Sequence, residues 1–317
     1  TLGMNAFITA QGFATTGMLS LLIGAVGNIA LDPLFIYAFG MGVQGAALAT
    51  IISQAASCVW VLFFLFGKRT MLKIRPRFFR LQAGIILPCL ALGFSTFVMQ
   101  ASESVILICF NSSLQTYGGD IAVGAMTVLS SVMQFAMLPL QGLGQGAQPI
   151  ISYNYGAKNA SRVKKAFRLL LISSLCYSVT LWALVMAVPQ AFVMMFNTNE
   201  GLVSYTIPAL RIYLGVLLLF GVQVACQMTF TSMGNAAASV IVAVVRKFVL
   251  LLPLIYIMPL IFTADKATAV FLAEPVADTV AVLFTAILFF FQFRRFLRKM
   301  DAPADSAGES EKRAASK

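Results

Sequence analysis

Apolar runs of about 20 residues follow one another along almost the whole chain, each long enough to cross ~30 Å of hydrocarbon as a helix. Hydropathy and breaker residues place these runs near 14–38, 45–66, 84–113, 121–152, 166–188, 205–232, 239–262 and 269–293. Short turns punctuate them at Gly40-Met41-Gly42, Tyr117-Gly118-Gly119-Asp120, Asn197-Thr198-Asn199-Glu200 and Thr263-Ala264-Asp265-Lys266. The third and fourth runs exceed the thickness of a bilayer, which predicts tilt or helical extension into the interfaces. Of the 317 residues, 60% are hydrophobic and 10% charged, where a soluble domain carries roughly 25% charged residues. A soluble fold of this size buries only about 75% of its unfolded surface, too little to hide so much apolar area. The fold class expected is therefore all-α: a polytopic membrane protein with about eight transmembrane helices.

The same composition removes several chemistries. The chain has no histidine, which excludes imidazole general bases and imidazole zinc sites. The five cysteines, Cys58, Cys89, Cys109, Cys176 and Cys226, are scattered through apolar runs with no CxxC spacing, and read as small core hydrophobes. No G-x-S-x-G occurs, and no close aspartate pair faces across two helices. An enzyme, a metal site and a bound cofactor are accordingly not expected. The formal charge of +11 is placed as membrane topology places it and not as a nucleic-acid surface would.

Lysine and arginine sort by loop. Lys68, Arg69, Lys73, Arg75, Arg77 and Arg80 follow the second run, and Lys158, Arg162, Lys164, Lys165 and Arg168 follow the fourth. Arg294, Arg295, Arg298 and Lys299 follow the eighth, with Lys312, Arg313 and Lys317 beyond them. The alternate loops hold only Lys266. Translocation disfavours such residues, so the basic loops and the C-terminus are expected in the cytoplasm of a multi-pass protein of the cell membrane. The 294–317 tail mixes both charge signs with Ala, Ser and Gly and is expected to be disordered. Thr1–Gln11 has neither the basic start nor the apolar core of a signal peptide, and reads as the end of a helix that begins upstream.

Ionisable groups inside a span cost at least ~2.5 kcal/mol at the bilayer centre and therefore face protein or water. Glu103 lies mid-span in the third run, sharing one broad helical face with Gln100, Ser104 and Asn111. Such a carboxylate can hold a cation or exchange a proton, or it can tie two helices together. In the fourth run Gln134, Gln141, Gln145 and Gln148 fall within roughly 60° of arc at 100° per residue. Pro139, Gly142, Gly144, Gly146 and Pro149 on the same helix predict a bent, partly open backbone. Gln223 and Gln227 repeat the theme one turn apart in the sixth run. Glu274, Asp278, Thr285 and Gln292 form a narrow face of the eighth. Asp32 and Arg246-Lys247 complete the set, and capping or snorkelling accounts for Asp32 and Arg246 as polar support. Polar interior faces with a buried carboxylate describe a transporter better than a passive scaffold, without naming a substrate.

The stretch Asn5–Gln54, with GNIALDPLFIYAFGMGVQGAALAT at its centre, resembles the multidrug and toxic compound extrusion (MATE) family. QGLGQGAQPIISYNYGAKNASRVKKAF at 141–167, VVRKFVLLLP at 244–253 and AEPVADTVA at 273–281 resemble later parts of the same family, closest to its bacterial small-drug and damage-inducible efflux subgroup. The resemblance implies twelve helices in two six-helix lobes related by a pseudo-twofold axis, of which the last eight are present. It divides the chain into 1–66, the end of a first lobe; 67–83, a cytoplasmic linker; 84–293, a second lobe; and 294–317, the tail. A faint internal echo agrees: Gln11-Gly12 precedes Pro33 much as Met233-Gly234 precedes Pro253.

What the resemblance implies is cation-coupled antiport, with sodium or protons entering as organic, often cationic, compounds leave by alternating access. Glu103 follows Ser95 of Gly93-Phe94-Ser95 by eight residues, the place of a family glutamate that follows Gly-x-Pro, although the proline is absent. Where one subgroup carries an aspartate ahead of the turn at Gly234, this chain has Val222 and Gln223, so a two-carboxylate sodium site is not expected. The expected cavity comprises Gln100, Asn111, Gln134, Gln141, Gln145, Gln148, Gln223 and Gln227, with Glu103 as the coupling residue and Asp32, Arg246, Glu274 and Asp278 in support. The partners expected are small drugs or organic cations and the lipid bilayer, with no nucleic acid and no obligate protein partner. The competing readings are a lipid-linked oligosaccharide flippase, for which Arg211, Arg246 and Lys247 are the only span-borne cations, and a non-transporting scaffold. The topology is checked directly: a reporter active only outside the membrane, fused after Lys317, is expected to be inactive, and one fused in the Asn197–Glu200 turn active.

Overall fold

The computed structural model describes residues 2–67, 70–71, 82–263 and 265–301. Among them all regular structure is helical. The order is α1 (Leu2–Ala10), α2 (Ala14–Pro33) running into a π-helical turn at Leu34–Ala38, α3 (Gly42–Phe66), α4 (Ala83–Gly156), α5 (Ala160–Ala187), α6 (Pro189–Met194), α7 (Glu200–Tyr213), α8 (Phe220–Ser232), α9 (Ala236–Val244), a second π-helical segment at Val245–Leu251, α10 (Leu252–Ile261) and α11 (Lys266–Asp301).

Six stretches are long and apolar enough to cross a membrane, and α7 with α8, bent by 43°, make a seventh. α4 is two helices, because Gly119 has φ 64° and ψ −161°, a conformation only glycine adopts cheaply. Counting its halves separately gives the eight expected spans. The sixth differs from expectation. It is not one continuous helix over 205–232 but breaks between Tyr213 and Phe220, with a single 3₁₀ turn at Leu217–Leu219. The carbonyls freed there are reclaimed from α5: Trp182 Nε1 donates to Gly215 O (2.9 Å) and Ser178 Oγ to Leu218 O (3.0 Å). Non-helical backbone survives at membrane depth only with such replacements. α11 continues to Asp301, so the first residues of the expected disordered tail are helical. Residues 302–317 and most of the 67–83 linker lie outside the described residues.

The chain forms two compact units, Thr1–Ala83 and Gly84–Lys317. In the first, α3 turns a stripe of every fourth residue inward, Gly45, Ala49, Ser53 and Ser57 leading to Val61 and Leu65. Small residues let α2 approach closely: a Cβ on Gly27 would stand 3.2 Å from Ser53 Oγ. Ser57 Oγ donates to Ser20 O across this contact (2.6 Å). In the second unit one core joins both halves of α4 (Phe110, Leu114, Leu129, Leu140) to Leu210, Leu217, Leu251 and Phe271. A separate cluster around Phe230 and Phe289 ties α8 to α11 and α5. Large side chains such as Ile29, Phe63, Ile108 and Phe291 point outward, as lipid contact requires.

The sequence echo has a structural counterpart. Gly12 (φ 89°) and Gly234 (φ 73°) both adopt left-handed backbone just before a helix, α2 and α9. Each helix then widens into a π-helical segment beside a proline, Pro33 before the first and Pro253 after the second. Proline supplies no N–H, so the ladder must change register around it.

The tightest helix contact is Gly221 of α8, whose Cβ position lies 2.7 Å from both Ser174 O and Ser178 Oγ of α5. Gly221→Val is expected to destabilise the protein by ~1–3 kcal/mol through overpacking. Heating detergent-solubilised protein before size-exclusion chromatography measures it, and an unshifted melting temperature would show that α5 and α8 part freely.

Candidate functional site

Three helical elements of the second unit converge on one cluster of charges. Glu103 comes from the first half of α4, Arg246 and Lys247 from the π-helical segment, and Glu274 and Asp278 from α11. Glu274 and Asp278 are one turn apart, so a helix aims both inward on the same face. Both are buried, as is Thr285 further along that face. The π-helix contains more residues per turn than an α-helix, which swings adjacent residues less far apart. Arg246 and Lys247 can therefore both face the cluster.

Arg246 Nε lies 2.6 Å from Asp278 Oδ1, with Nη2 3.6 Å from Glu274 Oε1. Lys247 Nζ lies 2.9 Å from Glu103 Oε2 and 4.0 Å from Glu274 Oε1. The Arg246 guanidinium also stacks over Phe220, 5.1 Å from the ring centroid. Phe220 opens α8 directly after the break in the sixth span, and Tyr213, the last residue before it, packs edge-on to Phe110 beside the same charges. The break thus delivers an aromatic residue from each of its ends. Exposure divides the cluster: the side chains of Arg246, Lys247, Glu274 and Asp278 are at most 14% exposed, whereas that of Glu103 is 58% exposed. Three carboxylates face two cations, so with all groups ionised the cluster carries a formal charge of −1.

This arrangement corrects one expectation. Arg246 neither snorkels nor caps: it turns inward and pairs with two buried acids. Lys247, passed over as a site residue, holds the cluster's two ends together. Glu103, Arg246, Glu274 and Asp278 are thus brought into one site.

The amide-bearing candidates are placed differently. Gln134, Gln141 and Gln145 are exposed and Gln148 is half-buried, on a side of α4 turned away from the core residues Val132, Ala136 and Leu140. Gln100 is exposed, and Asn111 is half-buried with Oδ1 lacking a hydrogen-bond partner among the described residues. Gln223 is buried in α8 with its Oε1 likewise unpartnered, and Gln227 is half-buried. Asp32 belongs to the first unit, where Asn28 Nδ2 donates to its Oδ1 (3.2 Å) and contacts Thr50 Oγ1 (3.4 Å). Asn28, Thr50, Ser53 and Gln54 line a groove of about 580 Å³ between α2 and α3. Asn28, one turn before Asp32, was the sequence signal for that network. No group of His, Cys, Asp and Glu able to hold a metal occurs among the described residues.

The MatE family profile matches residues 95–257, just over half of the chain and including Glu103, Arg246 and Lys247. The chain belongs to the MatE family. Multidrug export protein MepA of Staphylococcus aureus is 23% identical over 286 residues, which are 90% of this chain and 63% of that protein. MepA of Staphylococcus haemolyticus is 24% identical over 294 residues, 93% of this chain and 64% of that one. Among solved structures, an outward-facing multidrug resistance MATE family transporter of the MOP superfamily superposes with a TM-score of 0.86 at 24% identity, covering 93% of this chain and 66% of the other. A MOP superfamily transporter from Pyrococcus furiosus, described by a reversed polarity of its binding pocket, gives 0.84 at 24%, covering 90% and 64%. This MatE chain therefore spans just under two-thirds of the length of these relatives, and it is a multi-span protein of the cell membrane.

The buried pair makes a quantitative statement about the site. Asp278→Asn leaves the Arg246 guanidinium without its nearest counter-charge and is expected to cost ~3–5 kcal/mol. Arg246→Met combined with Asp278→Leu is expected to recover most of that loss, because a well-packed apolar pair removes both buried charges. Thermal unfolding of the two variants measures it; equal stability of Asp278→Asn and wild type would mean the pair is hydrated and not buried.

Proposed function

We propose that the protein takes part in cation-coupled export of organic, often cationic, compounds by alternating access, with Glu103 as the coupling carboxylate and the C-terminus in the cytoplasm. The observation that carries this reading is the division of exposure within the charge cluster. Glu103 alone is open, and its counter-ion has a second acid within reach. Lys247 Nζ sits 2.9 Å from Glu103 and 4.0 Å from Glu274. A proton or sodium ion arriving at Glu103 competes with the lysine for one carboxylate. The lysine need move only about an ångström to engage Glu274 instead, so no charge is stranded in the protein interior. Such an exchange is a two-state element of the kind a transport cycle requires, since ion and drug must favour opposite arrangements.

The sign of the cluster bears on the substrate. A flippase for anionic headgroups would need uncompensated positive charge in its cavity, but Arg246 and Lys247 are outnumbered by the three acids around them. A net negative site favours cations. The exposed stripe of Gln134, Gln141 and Gln145 offers neutral hydrogen-bonding groups that would hydrate or hold a polar substrate without adding charge. The family relationship and the relatives named for multidrug export support the same reading.

In cells expressing the complete open reading frame, Glu103→Gln is expected to reduce ethidium efflux to the level of cells lacking the protein, with normal expression. Repeating the assay in proteoliposomes under a sodium gradient and then a pH gradient identifies the driving ion. Wild-type efflux by the Glu103→Gln variant would remove this carboxylate from the mechanism.

A further inference from the structure

A second concave site lies in the second unit, away from the charge cluster. A groove of about 570 Å³ runs between α5, α8 and α11, within the size range of ligand pockets. Its wall is aromatic. Phe167 of α5 packs against Phe289 and Phe293 of α11, with ring centroids 4.6 and 5.2 Å apart, and those two rings stack on each other at 4.8 Å. Only two lining residues carry charge, Lys164 and Arg294, both positive. The Arg294 guanidinium is held over the Phe290 ring at 4.1 Å.

The two cations stand at one end of the groove and the carbon lining extends from them in one direction. Along α5 the lining runs from Lys164 to Leu171, and along α11 it runs back from Arg294 to Ala286. At 1.5 Å per residue that is about 11–12 Å of helix on each side. The apolar runs of the sequence begin near 166 and end near 293, which puts Lys164 and Arg294 just outside the hydrocarbon, at headgroup depth. Both belong to the basic belt of the C-terminal side. Basic pockets between transmembrane helices on that side suit anionic headgroups.

We propose that this groove is a binding site for one acidic phospholipid, its phosphate between Lys164 and Arg294 and an acyl chain laid along Phe167, Phe289 and Phe293. A free phosphate would leave the apolar length unfilled, and a zwitterionic lipid would gain little from two cations with no acid in the lining. The site is independent of the transport reading, because it shares no residue with the charge cluster.

Native mass spectrometry of the full-length protein in mild detergent, supplied with equal palmitoyl-oleoyl phosphatidylglycerol and phosphatidylcholine, tests it. Two headgroup-level cations at roughly fivefold each give an expected preference of about thirtyfold for phosphatidylglycerol. Lys164→Gln with Arg294→Gln is expected to abolish the preference, while Arg162→Gln with Lys165→Gln, exposed on the same belt but outside the groove, is expected to keep it. Ala286→Trp, which fills the acyl track and leaves both charges, is expected to lower retention of both lipids. The proposal is overturned if wild type shows no preference, if the belt control loses it equally, if Ala286→Trp binds as wild type does, or if glycerol 3-phosphate without tails is retained as well as the lipid.

Discussion

The second unit is organised by the cost of holding five charges in a medium that does not solvate them. Each ion of the cluster would be prohibitive alone, so each must be delivered to a partner from another helix. Arg246 commits the π-helical segment to α11 through Asp278 and Glu274, and Lys247 commits it to α4 through Glu103. The break in the sixth span belongs to the same arrangement, because Tyr213 and Phe220 flank it and both pack beside the charges. Hydrophobic packing alone discriminates poorly among helix arrangements when the surrounding lipid is as apolar as the core. Opposite charges at fixed depths discriminate sharply.

Much of this was legible in the residues. Eight apolar runs and their glycine or polar turns gave the spans, because hydrocarbon thickness imposes a length and backbone satisfaction imposes a helix. The inward face of α11 followed from ordinary helical spacing: Glu274, Asp278 and Thr285 are all buried as that spacing requires. Glu103 stood out because a carboxylate mid-span is rare. Residues that were legible one at a time still had to be joined, and the joining depends on which helices are neighbours, which no single-helix wheel contains.

Three features were not legible, for identifiable reasons. Snorkelling was the natural expectation for Arg246, since a wheel built at 100° per residue does not allow for a π-helical segment or for acids on two other helices. The break between α7 and α8 has no proline inside it, only Gly215 among leucines and valine, and what stabilises it are Trp182 and Ser178 on a different helix. The aromatic groove is assembled from phenylalanines that look individually like lipid-facing residues, and only their convergence from α5 and α11 makes a concavity.

The π-helical segment Val245–Leu251 has a further consequence, which concerns length and not chemistry. A wide turn of this kind accommodates one residue more than the α-helix on either side, so it acts as a phase shifter between α9 and α10. Loss of a single residue there would let the helix relax to regular winding and rotate everything beyond it by about 100°. Leu251 and Ile255, both fully buried, would turn out of the core even though no core residue had been changed. For this stretch, then, residue count is under the same structural constraint as residue identity.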